Sequence, residues 1–218
     1  MAKELRRFME FGRKIVAIGR NYRDHAAELG NPIPEKPLIF LKPTSSYVCE
    51  GRNIEIPYGY EELHHEVELG VVIGKNGSCI PESDALGYIG GYALAVDMTN
   101  RKLQNEDKKK GHPWSIAKGF DTACPISNFI SKSEIADPDN LRLWLKVDEE
   151  LKQDGSTCDM MFKIPFLISY VSKVMSLEKG DLLITGTPSG VSAVKAGQMI
   201  TAGIGDILSM KFPVVQKS

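Results

Sequence analysis

A chain of 218 residues with 42% hydrophobic residues, 25% charged residues and a formal net charge of -1 reads as one globular domain, too short for two ordinary domains and a linker. That balance excludes a general nucleic-acid binder, because the runs Lys108-Lys109-Lys110 and Arg6-Arg7 are short, have acidic neighbours and read as solvated faces. No apolar stretch reaches the ~18 residues of a membrane helix, and Cys49, Cys79, Cys124 and Cys158 lack the paired spacing of a zinc ribbon or redox dithiol, which leaves free thiols in a reducing compartment.

The N-terminal segment MAKELRRFMEFGRK mixes arginines with Glu4 and Glu10 and lacks the serine-rich, acid-poor character of a full transit peptide. Residues 1–14 are read as an N-terminal extension of an intracellular protein, mitochondrial or cytosolic, and residues 15–218 as a single domain. A strand is predicted over 15–18. Asn21 then stands as N-cap of a helix over 22–29, ended by Gly30 and followed by the proline-punctuated loop Asn31-Pro32-Ile33-Pro34-Glu35-Lys36-Pro37. Strands follow over 38–41, 67–73 and 89–97, from β-branched enrichment and flanking breakers. A helix over 100–110 is stopped by Gly111, a strand covers 141–147, and Ile164, Leu167, Ile168 and Val171 recur at helical spacing in a helix over 164–175. Strands over 181–184 and 206–212 complete the chain. Without regular β-α-β alternation, the expected fold class is α+β, a β-rich mixed fold with a few short helices.

The most informative segment is Leu63-His64-His65-Glu66-Val67-Glu68-Leu69-Gly70-Val71-Val72-Ile73. On a strand Val67, Leu69, Val71 and Ile73 share one face, and His64, Glu66 and Glu68 share the other. Glu66 and Glu68 then lie about 7 Å apart at the backbone, close enough for their side chains to converge. At ~4 Å two such charges repel by about 4 kcal/mol at an intermediate dielectric, a conflict that a cation removes. An exposed polar strand face is the alternative. The apolar run over 88–96 ends on Asp97, a carboxylate that is costly at the end of a buried strand unless paired or bound to metal, although a helix cap is another use for it. Glu66, Glu68 and Asp97 together offer three hard oxygen ligands, which suit Mg²⁺ or Mn²⁺ better than zinc. The adjacent His64 and His65 point to opposite faces, so each is assigned a structural part.

The motifs IGRNYRDHAAE, LIFLKP, HHEVELGVVIG, YIGGYALAVDMTNR, WSIAKGFD and LLITGTPSGV follow one another from residue 15 to about residue 212. On them the chain resembles the fumarylacetoacetate hydrolase family, in a compact form with no room for an additional N-terminal domain. The resemblance implies the fold of that family's C-terminal domain, with Glu66, Glu68 and Asp97 as the Mg²⁺ or Mn²⁺ ligands. It places Lys118 beside the metal to stabilise a developing oxyanion, and Lys42 and Thr187 in the pocket for a substrate carboxylate. Arg20, Arg101 and Gln104 are further polar contacts, and His25 and Glu28 are the catalytic dyad. The implied chemistry is cleavage of small 2-oxo acids by way of a pyruvate enolate, namely acylpyruvate hydrolysis and oxaloacetate decarboxylation. Oxaloacetate keto-enol tautomerisation is open to the same site, and the implied assembly is a homodimer with neither nucleic acid nor membrane as partner. Two other readings stand beside this one: a hydratase or isomerase of aromatic-catabolism dicarboxylates, and a catalytically silent binding protein. Against the silent reading, every motif position holds the expected residue type.

Overall fold

The computed structural model describes residues 2–24 and 34–217. Its centre is a mixed sheet in the order Leu38–Lys42, Ile15–Gly19, Leu182–Ile184, Val67–Ile73, Ile89–Val96, Cys124–Ile126 and Tyr47–Cys49, with Ile130–Ser131 pairing beside Ile89–Val96. A second, five-stranded sheet runs Glu150–Ser156, Arg142–Val147, Met199–Ile204, Leu208–Gln216 and Ile54–Ile56. The short pair Ala193–Lys195 and Glu62–His64 makes a third, small ribbon. The predicted β-rich α+β class is what the chain forms.

The continuous apolar character of 67–73 and 89–96 has a simple cause: the central sheet is covered on both faces. All seven residues of Val67–Ile73 are buried. Val67, Leu69, Val71 and Ile73 join Leu94, Val96, Leu143, Ile168 and Phe212 in the larger core. The opposite face of the sheet carries Val72, Ala93, Ala95, Ala17 and Leu182, packed against Leu5 and Phe8. Residues 2–11 therefore do more than precede the domain. In the short helices Ala2–Leu5 and Phe8–Phe11, Leu5 and Phe8 are buried, each such burial being worth about 1.5–3 kcal/mol. The buried Asp181 carboxylate accepts from the Arg13 and Lys14 amides at 3.1 and 3.2 Å and fixes where this segment joins the sheet.

The helix Arg101–Lys110 forms as expected: Asn100 Oδ1 caps it by accepting from the Leu103 amide at 3.1 Å, and Gly111 ends it in the left-handed conformation at φ 69°. The helix predicted over 164–175 is shorter, Ile164–Ser172, with Pro165 in its first turn. The strand predicted over 206–212 is displaced, because Asp206 lies in the turn before Leu208–Gln216. Asn21 takes a different part from the predicted N-cap. Its buried amide donates to the carbonyls of Phe162 and Thr185 and accepts from the Phe162 amide, fastening the end of the first strand to two distant segments. The predicted helix over 22–29 lies mostly outside the described residues.

The strand Glu150–Ser156 serves as a platform for the turn Thr185–Gly190. A Cβ on Gly155 would meet Pro188 Cβ at 2.5 Å, and one on Gly190, at φ +93°, would meet the Lys152 carbonyl oxygen at 1.9 Å. Gly190→Ala should therefore destabilise the protein by about 2–4 kcal/mol, combining the cost of a left-handed alanine with overpacking. Denaturant unfolding is the measurement, with Gly197→Ala, at similar φ but in open space, expected to cost less.

Candidate metal and substrate site

Strand register builds the acidic centre. Val67 pairs with Val96 and Glu68 with Ala95, so Asp97, one residue beyond the strand, falls on the same face as Glu68. Glu66 is not part of a continuous strand with Glu68, as the alternation argument had it. The strand is interrupted after His64, and Glu66 lies in the gap, its carbonyl accepting from the Asp97 amide at 2.8 Å. The three carboxylates nonetheless converge, each offering an oxygen within 4.8 Å of the others. Their exposures are 6%, 2% and 0%, which rules out the exposed polar face. Asp97 does not cap a helix either, since Asn100 fills that position.

Three cations answer two of the three carboxylates. Lys118, 2% exposed in the short helix Ser115–Gly119, donates to Glu66 Oε2 at 2.9 Å and to Asp97 Oδ2 at 2.5 Å. Lys42, 1% exposed, donates to Asp97 Oδ1 at 2.7 Å and to the Lys118 carbonyl. Arg101 donates to Glu66 Oε1 and, at 2.6 Å, to Gln104 Oε1. Among the described residues Glu68 has no such cationic contact. Its Oε2 accepts from the Gly186 amide at 2.6 Å, while burial and then the negative charges of Asp97 and Glu66 push its carboxyl well above the usual range. Burial alone disfavours the Lys118 ammonium, but Asp97 and Glu66 outweigh it and raise its pKa, so Lys118 stays charged. Burial, followed by the Arg101 charge, lowers His64 to about 4, and that imidazole is neutral near pH 7.

The donor set fits a divalent cation: three hard oxygens share one buried point, and Glu68 is a carboxyl whose ionisation the protein alone leaves poorly compensated. The positions taken from the resemblance are distributed unevenly around this centre. Lys118, Arg101 and Gln104 adjoin it. Lys42 stands behind Asp97 with its ammonium committed to protein oxygens. Thr187 follows Gly186, whose amide holds Glu68, and its hydroxyl donates to the Val67 carbonyl at 2.8 Å. Arg20 is half-buried with φ 57°, directly before the pinned Asn21. His25 and Glu28 lie outside the described residues.

Sequence reasoning missed Gln153. It is the one fully buried side chain of the largely exposed strand Glu150–Ser156, and its amide uses all four hydrogen-bonding positions. Oε1 accepts from the Val67 amide at 3.1 Å and faces His65 Nδ1 at 2.9 Å; Nε2 donates to Thr187 Oγ1 at 2.8 Å and to the Pro188 carbonyl at 2.9 Å. Gln153 thus ties the segment bearing Glu66 and Glu68 to the turn whose Gly186 amide holds Glu68. His65, also hydrogen-bonded to Ser192 Oγ, has the structural part expected of it. A glutamine in a polar strand carries no sequence signal of this kind.

A family model described as fumarylacetoacetate (FAA) hydrolase C-terminal matches residues 14–215. A mitochondrial oxaloacetate tautomerase (FAHD1) of Arabidopsis thaliana is 55% identical over 213 residues, covering 98% of this chain and 96% of the relative. A fumarylpyruvate hydrolase from Pseudomonas aeruginosa, solved in complex with Mn²⁺ and pyruvate, has a TM-score of 0.88 at 35% identity, covering 94% of this chain and 91% of that one. A 2-hydroxyhepta-2,4-diene-1,7-dioate isomerase from Mycobacterium marinum has a TM-score of 0.83 at 33% identity, covering 95% of this chain and 76% of that one. With the acidic trio, the Mn²⁺ complex of the hydrolase indicates a divalent metal at this centre.

The raised Glu68 carboxyl makes the stability of the metal-stripped protein depend on pH. The folded chain holds this proton more tightly than the unfolded chain, so the stability it contributes is present below the ordinary value of 4.5 and is lost as pH rises above it. Chelated protein should show a falling thermal midpoint from pH 4.5 towards neutrality, saturating Mg²⁺ should reverse the fall, and Glu68→Gln should flatten it. An unchanged pH slope in Glu68→Gln would remove Glu68 as its source.

Proposed function

The chain belongs to the fumarylacetoacetate hydrolase family, and from that premise we propose that it is a Mg²⁺-dependent enzyme of small 2-oxo acids that interconverts the enol and keto forms of oxaloacetate. The observation that carries this reading is the buried, charged Lys118 ammonium lying across Glu66 and Asp97, a fixed positive charge beside a three-carboxylate centre. A divalent cation held by Glu66, Glu68 and Asp97 would withdraw electron density from the keto and carboxylate oxygens of a 2-oxo acid. Lys118 supports negative charge developing on the keto oxygen, and it does so from a site sheltered from water, where a fixed charge acts most strongly. Arg101 and Lys42 hold Glu66 and Asp97 in place, so in this reading Lys42 is a positioning residue. Tautomerisation moves one proton between C3 and the C2 oxygen, with no bond to carbon broken in the skeleton.

Cleavage is a second reading, favoured by the P. aeruginosa hydrolase solved with pyruvate. Acylpyruvate hydrolysis needs water activated for attack on C4, the part assigned to His25 with Glu28 orienting it. Oxaloacetate decarboxylation needs no nucleophile and draws on the same charge support at the keto oxygen. The M. marinum isomerase keeps isomerisation of longer dicarboxylates within the reach of this fold. A mitochondrial site of action is supported by the name of the Arabidopsis thaliana relative. The homodimer expected from the resemblance is supported by the edge strand Leu38–Lys42, beside which Leu41 and Ile116 are 48% and 70% exposed.

Purified protein is to be incubated with oxaloacetate and with acetylpyruvate, with and without Mg²⁺, following loss of enol absorbance and release of pyruvate. Rapid Mg²⁺-dependent ketonisation is expected; pyruvate release without it would favour cleavage, and the absence of both with both substrates would leave the silent binding protein. Lys118→Ala should lower kcat by about 10²-fold or more in every reaction the site supports. His25→Ala should cut acylpyruvate hydrolysis on the order of 10² to 10⁴-fold and decarboxylation much less. Equal losses in both reactions would reassign His25 to substrate positioning.

A further inference from the structure

The triple Lys108-Lys109-Lys110 does not form the uniformly solvated face its sequence suggests. Lys109 and Lys110 are exposed, whereas Lys108 is half-buried. Helical register explains the difference: Arg101, Gln104 and Lys108 stand at i, i+3 and i+7 and share the side of the helix Arg101–Lys110 that faces the acidic centre. Lys108 Nζ lies 5.4 Å from the centroid of the Trp114 ring, Trp114 meets Phe40 edge-on at 5.6 Å, and Lys118 Nζ lies 5.0 Å from the centroid of Phe40. Two aromatic rings thus form a continuous wall with a lysine at each end, Lys118 at the carboxylates and Lys108 at the outer end.

No carboxylate pairs with Lys108 among the described residues, and the charges that act on it are mostly positive. Burial and then the Arg101 and Arg20 charges lower its ammonium to about 8, with Glu66 only partly opposing them. A half-buried cation held among like charges and against an aromatic face is stabilised by an anion brought from outside. The acidic centre and Lys118 take the 2-oxo carboxylate end of a substrate in the reading given above, on which this inference rests. We propose that Lys108, held against Trp114, forms a second anion subsite that receives the distal carboxylate of dicarboxylate 2-oxo acids and makes the enzyme prefer them to monocarboxylates. Trp114 supplies the rigid face that aims Lys108.

Oxaloacetate and pyruvate differ by one carboxylate, so they are the probes. Dissociation constants for each are measured in saturating Mg²⁺ by rapid-mixing tryptophan fluorescence for the wild type, Lys108→Met, Lys108→Arg and Lys109→Met, and oxaloacetate turnover is followed on the same preparations. Lys108→Met keeps the apolar stem against Trp114 and should weaken oxaloacetate binding about tenfold while changing pyruvate less than twofold. Lys108→Arg should restore most of the difference, and Lys109→Met, which removes the same charge from the exposed side, should show none. Equal weakening of both ligands in Lys108→Met, or no weakening of oxaloacetate, overturns the subsite. Wild-type protein that binds oxaloacetate with this discrimination yet turns it over no faster than solution would defeat the proposed reaction and leave the subsite standing.

Discussion

Three carboxylates buried within 4.8 Å of one another are the constraint around which the rest of the structure is arranged. Left to themselves they would repel, and the fold answers with Lys42, Lys118 and Arg101 from three separate elements. Lysines exposed by 1% and 2% have no place in an apolar core without such partners. Removing one member of a buried network of this kind commonly costs about 3–5 kcal/mol, because the charge left behind stays buried. The network balances Glu66 and Asp97 directly and leaves Glu68 with a backbone amide, which is why the centre is complete as a fold and still receptive to a divalent cation.

The two sheets contribute to this centre in different ways. The central sheet supplies the carboxylates and, through Gly70, Ala93 and Ala95, a face of small side chains that lets neighbouring strands and the N-terminal segment pack closely. The second sheet supplies the support. Gln153 crosses from it to hold Val67 and Thr187 at once, and Gly155 and Gly190 permit the backbone approach that makes the crossing short. A charged site of this depth needs its surroundings fixed firmly, since a small displacement of Glu68 from the Gly186 amide would alter the balance among all six ionisable groups.

The parts legible in the sequence were those carried by local periodicity. Continuous apolar strands, a helix with its terminating glycine and the choice of Glu66, Glu68 and Asp97 as candidate residues all come from local pattern and from the chemistry of single residues. The parts that were not legible depend on distant contacts. Glu66 reaches the centre from a gap in the strand, a detail that alternation cannot show. The hydrogen bonds from Lys42 to Asp97 and from Thr187 to the Val67 carbonyl likewise join segments far apart in the chain. Gln153 lies in a strand whose pattern is simply polar. Lys108 is hidden in a run of identical lysines, separated from its neighbours only by the pitch of the helix.

The face formed by Gly70, Ala93 and Ala95 also limits what can be changed next to the acidic centre. A methyl added at Gly70 would come within 2.9 Å of Leu182 and 3.1 Å of the Ala93 carbonyl, so there is no spare volume in this layer to trade. Combinatorial libraries would do poorly if they sampled these positions, because Glu68 and Gly70 share a strand and an enlargement at one shifts the other. Open volume lies instead beside Leu38, Phe40 and Trp114 at the edge of the central sheet, and new selectivity is more readily engineered from that rim inward than from the packed strands outward.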